Sequence, residues 1–245
     1  MLGYIAWGDG PKKPVLGERW LAGGRFMGLT MADSARPRGP LAIARAKRAA
    51  RRLQEAGVRR AVFPVDFPYT ALFIRQGITP IETLPLRRAL AAPLTRRRLE
   101  SLGRLPTEAV IGLYGERMSR ELWDGARALA FSYRYVLLDA PGGEDLAREL
   151  RREYGISLLL RPSPDQLERA DALLLFSPRK DLTGENPILY TLYPGGEAGR
   201  GRLPLVLPPA LTDQVEPNCD QEQLAAALYV QGAVTLESLL GEIPC

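Results

Sequence analysis

The segment Ile111-Gly-Leu-Tyr-Gly-Glu-Arg-Met-Ser119 holds the residues best suited to grip an anion. Gly112 and Gly115 fall where a β-strand would hand over to a helix. The free N–H groups and dipole of a helix N-terminus favour negative charge. Glycine leaves no Cβ between the backbone and a phosphate. Arg117, Arg120 or Ser119 can add side-chain donors. Asp139 ends the next apolar run, 24 residues after Gly115. In dinucleotide-binding folds an acidic residue about 20 residues on receives the ribose hydroxyls. This chain departs from that fingerprint: the turn is G-x-x-G, the spacing is stretched, and Glu116 puts a negative charge where a pyrophosphate would sit. A tight turn with close helix packing explains the same two glycines without any ligand. Glu116 also suits the helix dipole by itself.

A second candidate is Phe63-Pro-Val-Asp-Phe-Pro-Tyr69. Ligands of open α/β sheets bind outside the carboxyl ends of the strands. Asp66, Asp139 and Ser177 are all expected at such ends, where a shared cleft would bring them towards Arg117. Paired carboxylates there could hold Mg²⁺ through oxygen. Aspartate after a strand is equally a common turn former. Arg45, Arg48 and Arg52 share one helical face, flanked by Lys47 and Arg51. Nucleic-acid phosphates are met by such faces. With no interleaved aromatic residue and no binding motif, a solvated face is the expectation and nucleic acid is not the expected partner.

Several chemistries are closed to this chain. It has no histidine, so it contains no Ser-His-Asp or Cys-His machine and no imidazole base or ligand. If it is an enzyme, Asp139 or Asp66 must act as general base with Tyr or Arg as electrophilic partner, or a bound cofactor must carry the reaction. Cys219 and Cys245 make neither a disulfide framework nor a metal-binding spacing. Cys219 precedes a helix but has no histidine to activate it. Trp7, Trp20 and Trp123 are expected to pack. No apolar run approaches a membrane span, and MLGYIAWGDGPKK does not read as a signal peptide. A reducing cytoplasm is the expected compartment.

Net charge is +5 over 245 residues, carried by 29 Arg and only four Lys. Together with abundant Ala, Gly and Pro, that bias matches G+C-rich codons and points to a bacterial source. Residues 36–60 carry nine cations and one acid, whereas residues 201–245 carry one cation and six acids. Opposite charges of this kind can meet within a protomer or across a homo-oligomer.

Short aliphatic runs alternate with longer amphipathic ones, which predicts an α/β protein with mainly parallel sheets. Strands are expected at 2–7, 25–30, 60–65, 78–82, 109–114, 135–139, 156–160, 172–176, 187–193 and 203–207. Helices are expected at 40–56, 69–76, 84–102 with a break at Pro93, 115–133, 144–154, 163–169, 220–231 and 235–241. Gly57, Gly77 and Gly155 read as helix stops. The loop 194–202 carries four glycines. The division falls at Leu105-Pro106, giving two Rossmann-like lobes, 1–105 and 106–245, with closing C-terminal helices. The functional expectation is a small anionic ligand, with a nucleotide or dinucleotide as the candidate, bound at Gly112, Gly115, Arg117, Ser119 and Asp139, with Asp66 and Ser177 lining the cleft. A non-catalytic binding or assembly protein that has lost the ligand signature is the alternative, and a weak nucleic-acid binder the third reading.

Overall fold

The computed structural model describes residues 1–8, 13–32, 39–196, 207 and 209–240. The chain is α/β and falls into two compact units. The first unit begins with residues 1–83 and takes in the described residues from Leu207 to Leu240; the second begins at Leu84. Helix 84–101 therefore groups with the second unit, and the closing helices group with the first. The expected strand 203–207, apart from Leu207, and most of loop 194–202 lie outside the described residues.

The first sheet has the order β2-β3-β1-β4-β5, from β1 (Leu2–Gly8), β2 (Val15–Leu21), β3 (Gly24–Ala32), β4 (Arg60–Val62) and β5 (Thr79–Pro80). All neighbours are parallel except β2, which runs antiparallel to β3. β2 was not expected from the sequence: Glu18 and Arg19 interrupt its apolar pattern, and only its pairing with β3 defines it. The helix α1 (Pro40–Glu55) forms where the apolar period places it, with Pro40 in its first turn. Its Ala46, Ala49, Ala50 and Leu53 are buried against Ile5, Leu29, Met31, Phe63 and Phe73. Burying a leucine such as Leu53 contributes about 1.5–3 kcal/mol. Gly57, at φ 81°, then turns the chain in a left-handed conformation that costs other residues strain. α2 (Thr70–Arg75) completes this face.

The second unit starts with α3 (Leu84–Ser101), which runs through Pro93 without the expected break. Proline removes one ladder hydrogen bond; burial of Leu86, Leu90, Ala91 and Leu94 around it offsets that loss. The sheet that follows has the order β10-β9-β6-β7-β8, from β6 (Val110–Tyr114), β7 (Tyr135–Asp139), β8 (Leu159–Leu160), β9 (Ala172–Leu175) and β10 (Ile188–Thr191). Every pair in it is parallel. The helices α4 (Arg120–Ser132), α5 (Gly143–Tyr154) and α6 (Pro164–Glu168) make the connections. Ser163 and Gln166 form a reciprocal cap at the start of α6.

The C-terminal part of the first unit carries α7 (Pro209–Thr212), α8 (Gln221–Val230) and α9 (Leu236–Leu239). The segment 214–223 is pinned across the first sheet. The Tyr4 hydroxyl donates to Glu216, Arg19 Nη1 donates to the same carboxylate at 2.7 Å, and the Arg19 guanidinium lies 4.6 Å from the Tyr4 ring centre. Burial pushes the Tyr4 hydroxyl far above its ordinary pKa, so it stays a donor. Burial alone would raise the Glu216 carboxyl, but the hydrogen bonds from Tyr4 and Arg19 overcome it and hold the carboxyl below the ordinary range. Among the described residues no helix is long and apolar enough to cross a membrane.

Glu216 gives the fold a defined acid limb. A carboxyl depressed in the native state stabilises at pH above its unfolded value, near 4.5, and loses that contribution as pH falls through the native value. Urea unfolding at a series of pH values should therefore show Glu216→Gln to be less stable than the parent at neutral pH, with the gap closing as pH falls below 4.5 and on through the native value.

Candidate functional site

At the carboxyl edge of the second sheet, β6, β7 and β9 end side by side on Tyr114, Asp139 and Leu175. Main-chain bonds fix the three exits: Gly115 N donates to Asp139 O at 3.0 Å, and Phe176 N donates to Tyr114 O at 2.8 Å. Glu116 N donates to Ser177 Oγ at 3.2 Å, tying the turn after β6 to the turn after β9. An open pocket of about 520 Å³ lies here, lined by Tyr114, Glu116, Asp139, Pro178, Arg179, Lys180 and Asp181.

Arg179 organises this pocket. Its guanidinium donates to Asp139 and, through Nε at 2.9 Å, to Asp181, and sits 4.5 Å from the centre of the Tyr114 ring. Its side chain is only 12% exposed. Burial opposes the charge on Arg179, but the hydrogen bonds it donates to Asp181 and Asp139 outweigh it and raise its pKa further. Asp181 is held below the ordinary range by its hydrogen bond to Arg179. Burial also raises the Tyr114 hydroxyl, against the opposing pull of Arg179. The triad carries one cation and two carboxylates. Glu116 and Lys180 remain at the rim, with no side-chain partner among the described residues.

The structure thus brings together Gly115, Asp139 and Ser177 of the sequence-predicted residues. Arg117 follows in the same turn, exposed to solvent. Ser119 caps α4, its Oγ accepting from Leu122 N at 3.2 Å. Gly112 lies inside β6, two residues before its end. A Cβ there would come within 2.9 Å of Leu167 and 3.0 Å of Leu173, so its glycine answers to packing. At Gly115 a Cβ would lie 2.7 Å from Leu122 and 3.1 Å from the Arg117 carbonyl. Asp66 belongs to the first unit, exposed in a left-handed turn at φ 58°. There the carboxyl ends of β1 and β4 are occupied by the chain itself. Asn218 Nδ2 donates to Trp7 O at 2.7 Å, Val65 N to Asn218 O at 2.8 Å, and Phe63 N to Gln223 Oε1 at 3.0 Å.

The helix N-termini of the second unit are also filled from within. The first-turn Glu121 of α4 accepts from its own N–H, and with Ser119 this holds its carboxyl below the ordinary range. In α5, Glu144 accepts from its own N–H, from Arg161 and from Gly142 N, with the same effect. These carboxylates stand where a bound phosphate would stand. Sequence reasoning did not single out Tyr114, Arg179, Lys180 or Asp181. The available signal was the run Ser177-Pro-Arg-Lys-Asp181, an unusually charged exit from an otherwise apolar strand. Among the described residues no cluster of three or more His, Cys, Asp or Glu side chains is arranged to hold a metal ion.

No protein-family model and no curated protein matches the chain. Solved structures do show similarity. The catalytic subunit of M. jannaschii aspartate transcarbamoylase is 14% identical over 98% of this chain and 86% of its own, with a TM-score of 0.36. The A chain of dipicolinate synthase from Bacillus subtilis is 13% identical over 80% of this chain and 70% of its own, with a TM-score of 0.39. Aspartate transcarbamoylase from Trypanosoma cruzi, in complex with N-(phosphonacetyl)-L-aspartic acid, is 11% identical over 97% of this chain and 82% of its own, with a TM-score of 0.33. These likenesses are too distant to carry residue roles across.

Two measurements check the local geometry. Gly112→Val should destabilise the fold by about 1–3 kcal/mol through overpacking, read as a lower urea midpoint with unchanged slope. Cys219 is buried, and burial pushes its thiol up to about 11, so it should resist iodoacetamide at pH 8 until the chain is unfolded.

Proposed function

We propose that the second unit binds a small polar ligand with one anionic group, at the carboxyl edge where β6, β7 and β9 end. One observation carries this reading: the strand order 10-9-6-7-8. The chain winds outward from β6 through β7 and β8, then returns to the other side of β6 for β9 and β10. At such a reversal the connections leave in opposite directions and a crevice opens between them. The pocket of Tyr114, Asp139 and Arg179 lies at that reversal.

The charges favour one kind of ligand. Lys180 and the exposed Arg117 supply cations for the anionic group. Glu116 and the outward lone pairs of Asp139 and Asp181 accept from hydroxyl or amine donors on the same molecule. Because Glu121 and Glu144 fill the helix N-termini, side-chain cations and not α4 would hold the anion. That arrangement favours a sugar phosphate or a hydroxy- or amino-carboxylate over a dinucleotide, whose pyrophosphate needs a bare helix N-terminus.

Melting temperature should be followed while the full chain is titrated with inorganic phosphate, sugar phosphates, nucleotides, and hydroxy- and amino-carboxylates. A ligand at about 100 times its dissociation constant adds about 2.7 kcal/mol, which raises the midpoint by several degrees. Lys180→Ala should weaken that ligand about tenfold or more, and Asp66→Asn should leave it unchanged. No shift with any compound, or a shift insensitive to Lys180→Ala and Asp139→Asn, overturns the proposal.

A further inference from the structure

A second concavity lies at the amino edge of the second sheet, the opposite end from Asp139. The pairing of β7 with β8 begins only at Leu137↔Leu159. Tyr135 and Val136 pair with β6 on one side, but on the other the chain from Gly155 to Leu158 runs past without pairing with them. The gap is an open pocket of about 760 Å³, walled by Ala130, Tyr135, Val136, Ile156, Leu158 and Leu159. Pockets of about 300–1,000 Å³ hold small organic ligands. The whole lining comes from residues 130–160, which are described without a break. The described run that holds it ends at Gly196, past β10, at the far edge of the sheet from β8. Among the described residues nothing covers the apolar walls: Tyr135 is 44% and Leu159 45% exposed.

Two donors are left over in this apolar setting. Arg134 is the one charged residue in the lining, which contains no acid. Its guanidinium lies 5.4 Å from the centre of the Tyr135 ring, and among the described residues no carboxylate pairs with it. Nearby Arg127 and Arg152 are by contrast neutralised by Glu149 and Glu153. The second donor is in the main chain. Leu138 O accepts from Arg161 N at 3.1 Å, so alternate residues of β7 turn their main-chain groups towards β8. Val136 therefore faces the same side. With no β8 residue opposite Tyr135, its N–H has no partner among the described residues.

We infer that this pocket binds an amphipathic monocarboxylate of the medium-chain fatty acid type, with its chain on the apolar walls and its carboxylate on Arg134. The polar demand of the pocket is for one acceptor with a negative charge, and the rest of its wall suits hydrocarbon. A lone guanidinium matches a single charge, and its planar fork suits a carboxylate. A phosphate would leave charge unpaired beside apolar walls. A neutral alcohol would leave the cation unused. This site shares no residue with the pocket at Asp139 and stands or falls without it.

Isothermal titration calorimetry of the full chain with decanoate, kept below its micelle-forming concentration, tests this. The expected result is one saturable site per chain, with decanol binding at least about tenfold more weakly. Arg134→Gln keeps the main-chain bond from residue 134 to Pro106 O. It should weaken decanoate about tenfold and leave the circular dichroism unchanged. Leu159→Glu, at an exposed position, puts a carboxylate in the wall and should weaken decanoate at least as much. Arg45→Gln, exposed on α1, should change nothing. The inference is overturned by a lack of saturable binding, by decanol binding as tightly as decanoate, by an affinity that Arg134→Gln or Leu159→Glu leaves unchanged, or by an equal loss in Arg45→Gln.

Discussion

The second unit depends on one constraint of chain geometry. A parallel strand can be added only after a crossover, and crossovers have a fixed hand. β7 and β8 are added on one side of β6, so β9 can join the other side only if the chain reverses its winding. That reversal buries β6 between two neighbours, and Ile111 and Leu113 become fully enclosed. It also sends the chain away in opposite directions after β6 and β9, while the bond from Glu116 N to Ser177 Oγ ties the two turns at their base. The pocket follows from the topology, and the side chains of Tyr114, Asp139 and Arg179 line it.

The first unit meets a similar problem and solves it differently. Its central strand β1 lies between β3 and β4, and its carboxyl edge could likewise open. Segment 214–223 fills that edge, using Asn218 and Gln223 as hydrogen-bond partners for main-chain groups of Trp7, Phe63 and Val65. The backbone groups left over by the sheet are satisfied by the chain and not by a guest. The Tyr4–Glu216–Arg19 contact holds the segment in place, which couples the C-terminal residues to the stability of the first strand.

In the second unit the charges near the carboxyl edge are first used internally. Glu121 and Glu144 each turn back on their own N–H at the starts of α4 and α5. Arg179 is claimed by Asp139 and Asp181. At the rim, Lys180 and Glu116 are left without a side-chain partner among the described residues.

The sequence alone determined the element types. Period and punctuation place α1, β7 and α5 within about a residue of their observed ends, and Gly57, Gly77 and Gly155 stop helices at positive φ. These features depend on neighbours a few residues apart, which a linear reading sees. The edge strand β2, the unbroken α3 and the roles of Gly112 and Arg179 were settled only by tertiary structure. β2 exists because β3 pairs with it. Gly112 is glycine because Leu167 and Leu173, distant in sequence, press on β6. Arg179 meets Asp139 across 40 residues because two parallel strands end at the same level. Contacts of that range depend on sheet order and register, and no local pattern encodes them.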